Sequence, residues 1–192
     1  LSDSDMVAVA EAGQRIGDVK VSEGNVGFGT VCSVTINGAL LKAGIPMDSR
    51  FGGILQMRGG APVRFVQIID YGGSTLDPTE IFLRAGMTSV SSVVRSGYGK
   101  ILVNYREIPG PCVPLARETA EALRSIGIGG VLAIGQPSEP VCGIPVGLNR
   151  AGMALLGGMN PIAAVEEMGI QTHNQAMVTM MEFQDLVSFW DL

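Results

Sequence analysis

Apolar residues come in short runs along this chain, broken every few positions by Gly, Pro or a charged side chain, and the period of each run indicates the element it builds. DMVAVAEAGQRI at 5–16 sets Met6, Val9, Ala10 and Gly13 on one side and predicts a short helix stopped at Gly17. Residues 19–21 alternate as a brief strand, and VGFGTV at 26–31 predicts a strand whose glycines permit close backbone approach. SVTINGALLKA at 33–43 fits a helix stopped by Gly44 and Pro46, or a hairpin turning at Asn37-Gly38; the ending Leu40-Leu41-Lys42 favours the helix.

Residues 53–57 and 63–69 are apolar between Gly-rich or Pro-rich joints and predict strands. In STLDPTEIFLRAG at 74–86, Asp77 suits a helix cap, with Pro78 at the first helical position, Glu80 at the third and Gly86 as the stop. Residues 90–94 and 101–105 predict strands either side of a Gly97-Tyr98-Gly99 turn. PLARETAEALRSIG at 114–127 predicts an amphipathic helix with Leu115, Thr119, Ala122, Leu123 and Ile126 inward and Arg117 four residues before Glu121. Residues 130–134 and 153–156 predict buried strands, and Asn160-Pro161 caps a helix reaching Met168. Strands alternating with helices give an α/β fold, a mixed and partly parallel sheet with helices packed on it, in one domain spanning 1–192.

Composition narrows the class. Hydrophobic residues make up 46% of the 192, and charged residues 16%, against about 25% in typical soluble domains. That excludes a disordered tail and implies apolar surface for a subunit interface as well as a core. No run approaches the roughly 18 apolar residues of a membrane span. A net charge of -5 without a Lys/Arg cluster gives no footprint for phosphate, so the chain by itself is not expected to hold nucleic acid. Cys32, Cys112 and Cys142 are an odd number at wide spacings, which fits a reducing cytoplasmic interior and offers no zinc cluster. The opening LSDSD carries no secretory signal. A start at Leu1 leads us to expect a piece of a longer protein.

Candidate chemistry centres on the junction Gly27-Phe28-Gly29-Thr30-Val31-Cys32-Ser33, where strand meets helix. Free N–H groups and the helix dipole there favour an anion, although the string is neither GxGxxG nor a Walker loop. A tight packing joint is the competing reading. Cys32 at a helix start admits a cysteine nucleophile, but the only histidine, His173, lies in the polar stretch QTHNQ and offers no dyad. Arg50, in SRFGG between two loop signals, suits a carboxylate. Arg106 and Glu107, in YREIP, end an apolar strand as an internal ion pair or a functional pair. Glu166-Glu167 reads as a solvated helix face, since sequence neighbours on a helix diverge. Met177, Met180 and Met181 with Phe183, Leu186, Phe189 and Trp190 form an apolar terminal segment suited to dimer contacts.

The strings GTVCSVTINGALLKAGIP, SRFGG, STLDPTEIF with RAGMTSV, NYREIP and GGMNPIAAVEE, in this order, resemble the regulatory domain of NrpR-type archaeal nitrogen repressors over about residues 16–190. The resemblance implies a non-enzymatic module with no catalytic residue, metal or cofactor. It also implies repression of nitrogen fixation and assimilation genes, and release of the operator when 2-oxoglutarate binds. DNA contact would come from a winged helix absent from this chain. The partners expected are 2-oxoglutarate and a second copy in a homodimer. For two carboxylates and a keto oxygen, the residues here offer Arg50, Arg106, Thr30, Ser33 and the backbone around Cys32. A small-molecule enzyme using Cys32 or Glu107, and a purely structural dimerisation domain, remain as alternatives.

Overall fold

Gly59 and Gly60 have φ of +59° and +78°, the left-handed geometry a two-residue hairpin turn requires. They fold β5 (Asp48–Arg58) back on β6 (Ala61–Asp70). On its other side β5 pairs with β7 (Gly99–Pro109), β7 pairs with β9 (Arg150–Leu156), and β9 pairs with β8 (Val131–Ile134). The resulting five-stranded sheet has the order β6-β5-β7-β9-β8. The computed structural model describes residues 4–192. Among them every strand pairing is antiparallel, so the expected α/β class stands while the expected parallel part does not. The 90–94 segment, taken as a strand, is a helix that lets the chain re-enter the sheet antiparallel.

Helices α1 (Val34–Lys42) and α4 (Val113–Ser125) cover one face. Ile36 and Leu40 of α1 and Val113 and Ala116 of α4 pack on Ile108, Ala151, Met153 and Leu155. The buried side of α4 is therefore Val113, Ala116 and part of Leu123, and the expected inward residues Leu115, Ala122 and Ile126 are exposed. The helix follows from its sequence, but its rotation is set by the closeness of α1. At the far end of the sheet α2 (Pro78–Arg84), α3 (Val90–Ser96) and α5 (Asn160–Glu166) close a second core around Ile54, Leu55, Phe82, Val93, Leu102 and Ala163. Asp77 caps α2 as expected, accepting from Thr79 N–H at 2.7 Å and Glu80 N–H at 3.4 Å. Glu80 does not complete a capping box; its Oε1 accepts from Ala176 N–H at 2.6 Å.

Asn160, expected to cap α5, does something else. Fully buried, it accepts from Leu102 N–H and donates to Leu102 C=O, both at 2.8 Å, so its amide extends the ladder of β7 beyond β9. The first residues are also corrected: β1 (Met6–Ala10) is a strand between β4 (Gly27–Thr30) and β10 (Val187–Ser188), followed by the hairpin β2 (Arg15–Ile16) and β3 (Val19–Lys20). MVAVA alternates with a period of two, and its partners at 27–30 and 187–188 decide in favour of strand. No helix among the described residues is long and apolar enough to cross a membrane.

Glu167 and Glu166, expected on a solvated face, both have partners. Glu166 Oε1 accepts from Thr172 and Asn174. Glu167 serves as a borrowed cap for α3: Oε1 accepts from Thr88 Oγ1–H at 2.8 Å and Val90 N–H at 2.7 Å, and Oε2 from Ser91 N–H at 2.9 Å. Burial pushes the Glu167 carboxyl up, but the bonds from Ser91, Thr88 and Val90 outweigh it and hold the group below the usual glutamate range. A carboxyl depressed in the folded state stabilises the fold above its unfolded pKa, and that stability is lost as pH falls through the folded value. Glu167→Gln should cost about 1 kcal/mol at neutral pH after allowance for solvent around the exposed carboxylate. That is about 3 °C in Tm for a chain of this length. The difference should narrow as pH falls from the usual glutamate range through the lower folded value and be smaller at pH 3 than at pH 7; an equal gap at the two in thermal melts would refute the electrostatic origin.

Candidate functional site

Pairing on both edges buries β7 from Ile101 to Ile108. Alternation along a strand sends neighbours to opposite faces, so Asn104 and Arg106 project with Ile108 towards α1, while Tyr105 and Glu107 project to the other side. Three of these are polar and buried: Asn104 is 6% exposed, Arg106 3% and Glu107 6%. Such groups need partners.

On the α1 side, Asn104 Nδ2 donates to Ser33 Oγ at 2.9 Å, and Tyr71 Oη donates to Asn104 Oδ1 at 2.6 Å. Arg106 Nε donates to Asn37 Oδ1 at 3.3 Å and Nη1 to the Tyr105 carbonyl at 3.2 Å, and the guanidinium lies 5.3 Å from the Tyr71 ring centroid. No carboxylate lies within ion-pair distance of Arg106 among the described residues. Burial pushes the Tyr71 phenol up; the Arg106 charge opposes it, and Asp77 and Cys32 reinforce it. Ser33 precedes α1 without a side-chain cap bond, and the first turn of α1 has no acid, so its positive dipole end faces this cluster unneutralised. Local charge is thus positive, buried and without a counterion.

The other face is neutralised. A register shift between Ser49 and Phe51 leaves Arg50 as an extra residue on β5, and this bulge aims its guanidinium at Glu107, with Nη1 to Oε1 at 2.8 Å. Arg150 Nε lies 3.6 Å from Glu107 Oε2, and Arg150 also pairs with Asp48. The expected Arg106–Glu107 pair is not formed, because strand neighbours cannot share a face. Next to this cluster Tyr105 stacks on Phe51, ring centroids 4.9 Å apart, and its buried hydroxyl has no hydrogen-bond partner among the described residues. Burial first, then the nearby Glu107 charge, raises its pKa far above the usual tyrosine value. A side chain at Gly152 would collide with that hydroxyl, so glycine there makes room for the ring.

Of the residues singled out in the sequence, Ser33 and Arg106 come together, and Cys32 adjoins them closely enough to act on Tyr71. Thr30 closes the joint differently, donating to the Gly158 carbonyl at 2.8 Å. Arg50 sits across the sheet, half exposed and engaged by Glu107. Asn37, Tyr71 and Asn104 were not singled out. The period-two spacing of Asn104 and Arg106 in VNYREI held a signal for one of them; Tyr71 arrives only through the tertiary fold. His173 is exposed at the rim of a separate surface depression of about 300 Å³, with Arg84, Glu166, Thr172 and Asn174. No disulfide joins Cys32, Cys112 and Cys142, and among the described residues no His/Cys/Asp/Glu group is arranged to hold a metal ion.

Known proteins resemble this chain in sequence and in fold. The family model for NrpR regulatory domains NRD1 and 2 matches residues 1–188. The chain is 38% identical over 169 residues to the global nitrogen regulator NrpRI of Methanosarcina mazei, covering 88% of this chain and 52% of that protein. It is 30% identical over 179 residues to the global nitrogen regulator NrpR of Methanococcus maripaludis, covering 92% of this chain and 32% of that one. The crystal structure of a nitrogen repressor-like protein from Methanococcus jannaschii superposes with a TM-score of 0.75 at 29% identity, over 97% of this chain and 74% of that chain. The chain spans about half the length of the first of these regulators and about a third of the second. Relatives that are regulators, on a fold that presents an unneutralised buried arginine, define a regulatory domain and not an enzyme. The chain belongs to the NrpR family, as one of its regulatory domains.

The two arginine environments make opposite demands on stability. Replacing even a buried ion pair by well-packed apolar side chains is often neutral or stabilising by about 1–4 kcal/mol, and Arg106 has no carboxylate in ion-pair contact among the described residues. Arg106→Met should therefore melt at or above the wild-type temperature. Arg50→Ala, which leaves the buried Glu107 with one distant arginine, should cost about 1–2 kcal/mol once solvent screening of the half-exposed Arg50 is allowed for. Calorimetric melts that rank the two variants in the reverse order would show Arg106 to be structural.

Proposed function

We propose that the chain is the effector-sensing and dimerising part of a cytoplasmic transcriptional repressor of nitrogen fixation and assimilation genes, with 2-oxoglutarate as the inducer that releases the repressor from DNA. The DNA-binding part lies in the rest of the regulator, of which this chain matches between 28% and 52% in its curated relatives. A net charge of -5 is consistent with that division. The observation that carries the effector reading is Arg106, 3% exposed, beside the open N-terminus of α1 and without a carboxylate partner. A dicarboxylate supplies the missing negative charge. Arg106 then clasps one carboxylate, the Ser33 hydroxyl and the N–H groups near Cys32 meet the keto-acid end, and Thr30 holds the joint against Gly158. Arg50 has its carboxylate already in Glu107, which favours Arg106 as the ligand's arginine.

Charge-assisted bonds to a carboxylate are worth about 1.5–3 kcal/mol, so Arg106→Met should weaken 2-oxoglutarate binding by about ten- to a hundredfold. Arg50→Ala should bind like wild type. Isothermal titration measures both, and the keto acid should be recovered unchanged. Equal affinity in wild type and Arg106→Met, or consumption of the acid, would end this reading.

Support for a homodimer comes from the terminal segment, where Met177 is 67% exposed, Met180 92%, Phe189 51% and Trp190 76%. Isolated apolar side chains on a surface are ordinary, but Phe189 and Trp190 pack edge to face, ring centroids 5.5 Å apart, and stay half or more exposed. Light scattering should give about twice the 20.0 kDa chain mass. Replacing Phe189 and Trp190 together by Ser should yield monomer; an undiminished dimer would assign the interface elsewhere.

A further inference from the structure

Tyr71 is the first residue after β6, and its ring covers the Arg106 guanidinium. At 3% exposure Arg106 has no open edge, so an entering carboxylate must displace one of its neighbours. Those on β7, β5 and β9 sit on strands laddered on both sides, and Asn37 reaches the guanidinium at Nε alone. Among the described residues the Tyr71 side chain is held only by its hydrogen bond to Asn104 and by its contacts with the Arg106 guanidinium. Its backbone N–H is anchored on the Arg50 carbonyl at 3.0 Å, so the ring moves by side-chain rotation and no strand need part. Beside it Gly72 and Gly73 are exposed and carry no side chain, and a Cβ placed on Gly73 would meet no atom within 4 Å. The backbone next to the ring is therefore open to solvent.

We infer that Tyr71 is a lid that occupies Arg106 in the ligand-free protein and is displaced by the incoming carboxylate, which sets the threshold effector concentration. This rests on the effector reading given above. The lid is a stand-in: its π-face partly compensates a cation that burial has stripped of water, at a strength below that of a carboxylate. Because burial keeps the phenol protonated, it is a donor to Asn104 and leaves no anion to repel the ligand. Once the phenol leaves, a water in the vacated space can donate to Asn104 Oδ1, while Ser33, which accepts from Asn104 Nδ2, keeps its hydroxyl proton for a ligand oxygen. The displacement then strands no buried acceptor.

A protein whose competent state is a minor population binds with an affinity reduced by that fraction. Tyr71→Ala, which removes the lid, should therefore bind 2-oxoglutarate about tenfold more tightly. Tyr71→Phe, which keeps the ring and loses the bond to Asn104, should fall between it and wild type. A readout independent of the effector is the rate at which phenylglyoxal modifies the Arg106-containing peptide, followed by mass spectrometry on the folded chain. That rate should rise about tenfold in Tyr71→Ala and less in Tyr71→Phe. An unchanged rate in both variants overturns the lid whatever the ligand does. Faster modification with affinity unchanged or weakened means that Tyr71 covers Arg106 without being displaced, and overturns the inference while the effector reading stands. No affinity in wild type or in either variant overturns both.

Discussion

Pairing of β7 on both of its edges buries a strand that carries an asparagine, an arginine and a glutamate among its apolar residues. A central strand made only of Val, Ile and Leu would ask nothing of its surroundings. Asn104, Arg106 and Glu107, each less than a tenth exposed, require partners on two different faces. The start of α1, the bulge that aims Arg50, the seat of Arg150 on β9 and the rest position of Tyr71 are all answers to that requirement.

The two faces answer it differently. Glu107 receives two guanidinium groups and a neighbouring acid balances the second, which makes a closed and locally satisfied network. Arg106 receives an amide oxygen, a carbonyl and an aromatic face, none of which carries a full negative charge. Burial of a cation on such terms lowers stability compared with an apolar side chain. Under the proposed effector reading that deficit is useful, because an anionic ligand would supply energy the fold lacks. Stability and sensitivity are traded at one residue.

This division also bears on how a signal leaves the site. Ser33 and Asn37 lie on the first turn of α1, and α1 packs on α4 through a shared core. Tyr71 lies on the loop leading to Asp77 and α2, whose Glu80 holds the terminal segment through Ala176. The cluster therefore connects to elements on both ends of the sheet, including the apolar segment proposed above for dimer contacts. Each connection is a contact between packed elements, and no long chain of side chains is needed.

Local chemistry was legible wherever one stretch of chain decides the outcome. The Asp77-Pro78 start of α2, α1 with its cap-like ending, α4 and most sheet strands follow from caps, turns and periodicity that act within a few residues. Two segments read wrongly because their partners are distant. The Val-rich residues 90–94 have β propensity, yet Glu167 caps them as a helix from the far end of the chain, and Gly97 at φ +78° closes it. Residues 6–10 alternate clearly enough for a strand, but only β10, lying near residue 187, and β4 make that strand worth forming. The same limit applies to the site. By itself the sequence determined that a strand-to-helix joint at Cys32-Ser33 and two candidate arginines exist, and that no histidine–nucleophile pair is at hand. Which arginine has a counterion, and which is covered by Tyr71, was decided by tertiary structure alone, because a bulge and the two-residue period of β7 assign each guanidinium to a face, and charge balance is a property of faces, not of strings.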